Sequence, residues 1–223
     1  TQGLGIEETQ VGFLVGIYAL ASAIFAIPLI SMTLAINRKN LLLVLLAGFA
    51  LSNIVVGLTS SYYLIVAMRI LGGICAGIMW PMIAAYGAAL VTDDLQGRAI
   101  TIIMAGNTFG VSLGLPFMTY IGTHLGWRTE FILLGALGAV IALLAAKFLP
   151  AVPGEKLTQS NSPMAMLKIP QVWMVLVLTF LSVVAHYSTY TYITLLVETL
   201  RFQGGISLAL LIFGIGSVIS VIL

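Results

Sequence analysis

Seven apolar runs, each long enough to cross a bilayer as a helix, occupy nearly all of this chain from Val11 onward. They cover residues 11–36, 40–60, 62–91, 99–123, 127–149, 172–197 and 206–223. A membrane-spanning helix needs about 20 consecutive apolar residues. Inside lipid the N–H and C=O groups of such runs can be satisfied only by helices or a closed barrel. Runs of this length exceed what a barrel strand uses, so the expected class is all-α, a polytopic membrane helix bundle. Charged residues make up 7% of the chain, against roughly 25% in soluble domains. Function therefore has to be read from what interrupts the apolar background.

Composition excludes several classes. A net charge of +2 from nine basic residues leaves no nucleic-acid footprint. A single cysteine, Cys75, rules out a disulfide framework and a multi-cysteine metal site. His124 and His186 are the two histidines, too few for a metal centre, and neither a metal nor a cofactor is expected. A seven-helix receptor, photoreceptor or channel is the rival reading. A retinal pigment needs a Schiff-base lysine in its last helix, and residues 206–223 contain none. Intramembrane enzymes are disfavoured too: no span holds an Asp, and neither Gly-x-Ser-Gly nor His-Glu-x-x-His occurs. The chain opens on Thr1 and stops within an apolar run, which reads as part of a longer polytopic protein.

The connectors divide by charge. Arg38, Lys39, Arg98, Lys147, Lys156 and Lys168 fall on one side of the membrane, Arg128 and Arg201 on the other. The positive-inside bias places the first set in the cytoplasm. One connector, 150–170, carries Pro150, Pro153, Gly154, Asn161, Pro163 and Pro170, which punctuate rather than extend helices. It is expected to separate a first bundle, 1–149, from the start of a second, 171–223. Pro28 and Pro116 each have small residues two and six positions upstream, in spans of opposite direction, an echo of inverted repeats.

Arg69 is the sharpest interruption. It stands about seven residues inside its span, roughly 10 Å deep at 1.5 Å per residue. A guanidinium there stays charged and must face protein or water; the alternative is an anchor that reaches back to the interface. Gly72, Gly73 and Ala76 continue its face and leave room for a neighbouring backbone. Gly106, Gly110 and Gly114 form a side-chain-free stripe beside Asn107, ending at the helix-bending Pro116. Gly214, Gly216, Ser217 and Ser220 are its candidate partners. The run from His186 through Tyr187, Tyr190 and Thr191 to Tyr192 suits a cavity for a polar molecule, or equally an interhelical hydrogen-bond network. Trp80, next to Pro81, either lines the same cavity or fills space.

Together these residues resemble the major facilitator superfamily, in its drug and sugar proton antiporter branch. Arg69 to Gly73 resembles the Arg-x-x-x-Gly signature of that family's fourth helix, and Gly106 to Pro116 the antiporter motif of its fifth. Gly126-Trp127-Arg128-x-x-Phe131 is similar to the turn before the sixth helix, and Gly5-Ile6 through Leu20 to the start of the second. The resemblance implies helices two to eight of a twelve-helix fold, without helix one and most of the second half. It implies proton-coupled efflux of a small sugar, nucleoside or drug by alternating access, in a bacterial inner membrane, by a protein monomeric when full length. Arg69 would serve proton coupling. Trp80, Asn107, His186, Tyr190 and Tyr192 would line the substrate cavity. Arg38 and Lys39 match the basic pair of the loop between helices two and three. That loop departs from the family pattern in three places: Asn37 and Ile30 replace glycines, and Leu34 replaces the acidic residue of an inner-gate charge network.

Overall fold

The computed structural model describes residues 7–155 and 167–200, with positions 209, 212 and 216 besides. The side chains of Glu8, Leu115, Pro116, Thr119, Thr123 and most of 186–198 lie outside that description. Every described element is helical: α1 (Glu8–Thr33), α2 (Arg38–Leu58), α3 (Tyr62–Ala89), a short turn (Asp93–Leu95), α4 (Gln96–Phe109), α5 (Leu115–Leu125), α6 (Trp127–Phe148) and α7 (Pro170–Thr199). The last apolar run, 206–223, falls outside the described residues apart from three helical positions. Among the described residues four helices, namely Thr9–Thr33 within α1, α2, α3 and α6, are long and apolar enough to cross a membrane. Many of their large apolar side chains are exposed, among them Phe13, Ile24, Val44, Leu137 and Leu143, as suits helices whose solvent is lipid.

The span expected over 99–123 is resolved into three parts. Between α4 and α5 the backbone winds as a π-turn over Gly110–Gly114. Pro116 lacks an N–H and cannot close a regular turn, and the wider i→i+5 winding just before it shifts the register.

Residues Thr1–Ile103 and Leu113–Leu157 form one compact unit. Its closest helix pairs are α2 with α6, α1 with α3, and α2 with α3. The α2–α6 seam is built on glycines. A Cβ on Gly135 would strike Ile54 and the Ala50 carbonyl, and one on Gly57 would strike Ile132 and the Arg128 carbonyl. With lipid outside, no hydrophobic force drives helices together, so such close backbone contact supplies the attraction. Toward the Arg38 end the unit fills with Leu41, Leu42, Leu45 and Leu46 of α2 against Cys75, Ile78, Met82 and Tyr86 of α3 and Ala145 of α6.

That end is tied by its loops. Asn37 caps α2, its side-chain oxygen accepting from the Lys39 N–H at 3.0 Å. The glycine expected from the family pattern is thus replaced by a residue that satisfies a helix-terminal donor. The segment after α6 lies along the α1–α2 loop: Arg38 N–H donates to the Val152 carbonyl and Glu155 N–H to the Leu34 carbonyl, both at 2.8 Å. Tyr86 Oη donates to the Pro150 carbonyl at 2.5 Å. Arg38 itself is buried.

The second unit comprises Met104–Ser112 and Thr158–Leu223. In it α7 begins at Pro170, where the fixed φ and missing N–H of proline suit a helix start. Trp173 Nε1 donates to the Leu167 carbonyl just before that start, at 2.8 Å.

Candidate functional site

Two helices place Arg69. On α3, Arg69, Gly72, Gly73 and Gly77 share a face, and α1 lies against it so closely that a Cβ on Gly73 would collide with the backbone of Tyr18, and one on Gly77 with that of Ser22. This approach brings the Arg69 side chain to α1. Its Nε–H donates to the Leu14 carbonyl at 3.3 Å, and its guanidinium carbon stands 4.2 Å from the centre of the Tyr18 ring. Phe131, in the first turn of α6, completes the surround at 5.7 Å.

The described partners are all neutral. Among the described residues its partners are the Leu14 carbonyl and the rings of Tyr18 and Phe131. An arginine at the centre of a membrane helix costs roughly 2.5–3.5 kcal/mol on insertion scales, an upper bound for Arg69, which stands about seven residues inside its span. A desolvated cation over an aromatic face recovers about 2 kcal/mol, and the carbonyl hydrogen bond offsets more. Among the described residues the charge is thus accommodated without an ion pair. Of the five donors a guanidinium carries, Nε–H is the one with a described acceptor. The sequence required that the guanidinium face protein or water; the structure supplies the carbonyl of Leu14, together with the ring of Tyr18. Tyr18 is missed because an aromatic inside an apolar run carries no signal of its own.

At the Arg128 end of α6, Gly126 adopts φ 87°, ψ 151°, a backbone region open essentially to glycine alone. The turn it makes aims Arg128 at the end of α2. There Nη1 donates to the carbonyls of Thr59 at 2.6 Å and Gly57 at 3.4 Å, and Nη2 to Ser60 Oγ at 3.2 Å. The guanidinium also lies 4.7 Å over the Trp127 ring. A cation on the last carbonyls of a helix meets orphan acceptors and the negative end of its dipole, worth up to about 2 kcal/mol where partly buried. Glu130, two residues on, presents its carboxylate to Gly122 of α5. It was passed over in the sequence because it stands at a helix start, where acids are commonplace.

Residues 1–223 match the sequence model of the Major Facilitator Superfamily. The chain belongs to that superfamily. It is a multi-pass membrane protein of the secondary-transporter class, and members of this class are transporters rather than enzymes.

The other sequence candidates of the transporter stand as follows. Trp80 lies on α3 and Asn107 on α4, both exposed; Tyr192 lies on α7, also exposed. His186 and Tyr190 are on α7, with side chains outside the described set. A Cβ on Gly106, Gly110 or Gly114 would meet no described atom within 4 Å. The suggested partners Gly214, Ser217 and Ser220 are outside the described residues. Pro116 is the second residue after the π-turn. Arg38 and Lys39 open α2, the first buried and the second joined to the Asn37 cap.

Proposed function

We propose that this transporter couples proton movement to export of a small polar or amphipathic molecule (a sugar, nucleoside or drug) by alternating access. What carries the reading is Arg69: a permanent charge held in the bundle by a carbonyl and two aromatic rings. A charge so held responds to any proton or polar group that arrives beside it, because its neutral partners do not cancel its field. Coupling requires that substrate and proton bind the two conformations with different free energies, and a movable partner for Arg69 provides such a difference.

In this proposal Arg38 and Lys39 face the cytoplasm and Arg128 faces outward, following the distribution of basic residues. Trp80, Asn107, His186, Tyr190 and Tyr192 contribute to the cavity wall. Gly106, Gly110, Gly114 and Pro116 act as the antiporter stripe, so Gly110→Leu lowers transport. The residues 150–170 connect the two bundles. The protein sits in the inner membrane of a bacterial cell and acts as a monomer.

The test is made in inverted membrane vesicles with an acid interior, carrying the intact transporter. A panel of sugars, nucleosides and drugs is added while a pH-sensitive dye reports proton release. Proton efflux on addition of one class, abolished by Arg69→Ala with membrane insertion unchanged, is the expected result. Substrate flux that persists at the wild-type rate in Arg69→Ala, with no proton movement in either protein, assigns the transporter to uniport or channel behaviour instead.

A further inference from the structure

The Arg128 clamp and the Arg69 site meet in one helical turn. Arg128 and Ile132, four residues apart on α6, both face the end of α2: the first binds the carbonyls of Gly57 and Thr59, the second fills the space against Gly57. Phe131, three residues after Arg128, faces Arg69 from the same turn. Side chains three and four residues apart lie on adjoining parts of a helix surface. The height and rotation that bring Arg128 onto α2 are therefore those that bring Phe131 to Arg69. Gly126, the one glycine at positive φ among the described residues, lets α6 begin in this orientation.

We infer that Arg128 is a positioning residue for the Arg69 site, acting through Phe131. Its described contacts are with the end of α2 and the Trp127 ring. Its three hydrogen bonds to α2 hold the first turn of α6 in rotation, and that rotation keeps an aromatic face beside the charge. Lysine cannot replace it, because one ammonium lacks the planar fork that reaches two carbonyls and a hydroxyl together. The functional consequence rests on the proposal that Arg69 serves coupling; the positional claim does not.

The experiment places 4-fluorophenylalanine at position 131 of the intact transporter and records its fluorine NMR signal, with no substrate needed. Arg69→Ala marks the signal of a ring without its cation. Arg128→Gln is expected to move the signal toward that mark, with Arg128→Lys between the two. Where Arg128→Gln is not recovered folded, Arg128→Lys carries the comparison alone. A wild-type signal in a folded Arg128 variant overturns the inference and leaves Arg128 as a cap of α2. Transport separates the two claims. If the signal moves and proton-coupled flux falls tenfold or more in both Arg128→Gln and Phe131→Leu, positioning and coupling stand together. If the signal moves but Arg69→Ala transports normally, the coupling proposal falls and the positional one remains.

Discussion

The guanidinium of Arg69 lies 4.2 Å over the ring of Tyr18, a residue on a different helix and 51 positions earlier in the chain. The contact exists because Gly73 and Gly77 let α1 and α3 approach to backbone distance. A charge, an aromatic face and a glycine seam thus form one arrangement, and each can be tested separately.

The ring of Tyr18, rather than its hydroxyl, is the feature that stabilises Arg69. Tyr18→Phe is expected to leave thermal stability in detergent close to wild type. Tyr18→Leu should lose about 1–2 kcal/mol through the missing cation–π contact. Equal melting midpoints for the two variants would assign Arg69 some other support.

Gly73 has no space for any side chain, because the Tyr18 backbone occupies it. Gly73→Val should separate α1 from α3 and cost about 1–3 kcal/mol or more as overpacking. Gly16→Ala, at a position open on α1, serves as the control and should be tolerated. Size-exclusion profiles and melting midpoints of the two variants check this.

At Gly126 the backbone itself is the constraint. Gly126→Ala forces a side chain into φ 87°, ψ 151°, at a cost of about 1–3 kcal/mol. The variant is expected to melt earlier and to exchange the first amides of α6 faster. Unchanged exchange there would show that α6 can begin from another backbone conformation.

The loop tie at the Arg38 end should separate into a cap and a clip. Asn37→Ala removes the bond to the Lys39 N–H and should cost about 1 kcal/mol, whereas Asn37→Asp should cost little. Gly154→Val cannot be placed beside the Leu34 and Ile36 carbonyls, and is expected to release residues 150–155 from the α1–α2 loop. Faster hydrogen exchange at Glu155 and Arg38, whose amides make the two clip bonds, is the measurement.

How much of this was legible beforehand differs by level. The apolar runs at 40–60, 62–91 and 127–149 coincide with α2, α3 and α6 to within two residues at each end, because in lipid an unpaired backbone has no alternative to the helix. Arg69 stood out for the same reason, a charge where the solvent is hydrocarbon. The role of Arg128 did not stand out, since a basic residue at a span end reads as an ordinary interfacial anchor.

Sequence alone thus determined the class of the protein, the extents of α2, α3 and α6, and the residue whose charge must be accommodated. Only the tertiary structure decided which small-residue stripe meets which helix, that α1 supplies Leu14 and Tyr18 to Arg69, and that Arg128 closes the end of α2. The physical reason is the uniform apolarity of the helices. With lipid as apolar as the side chains, burial does not discriminate between faces, and pairing is settled by shape at contact distance, which a one-dimensional pattern does not contain.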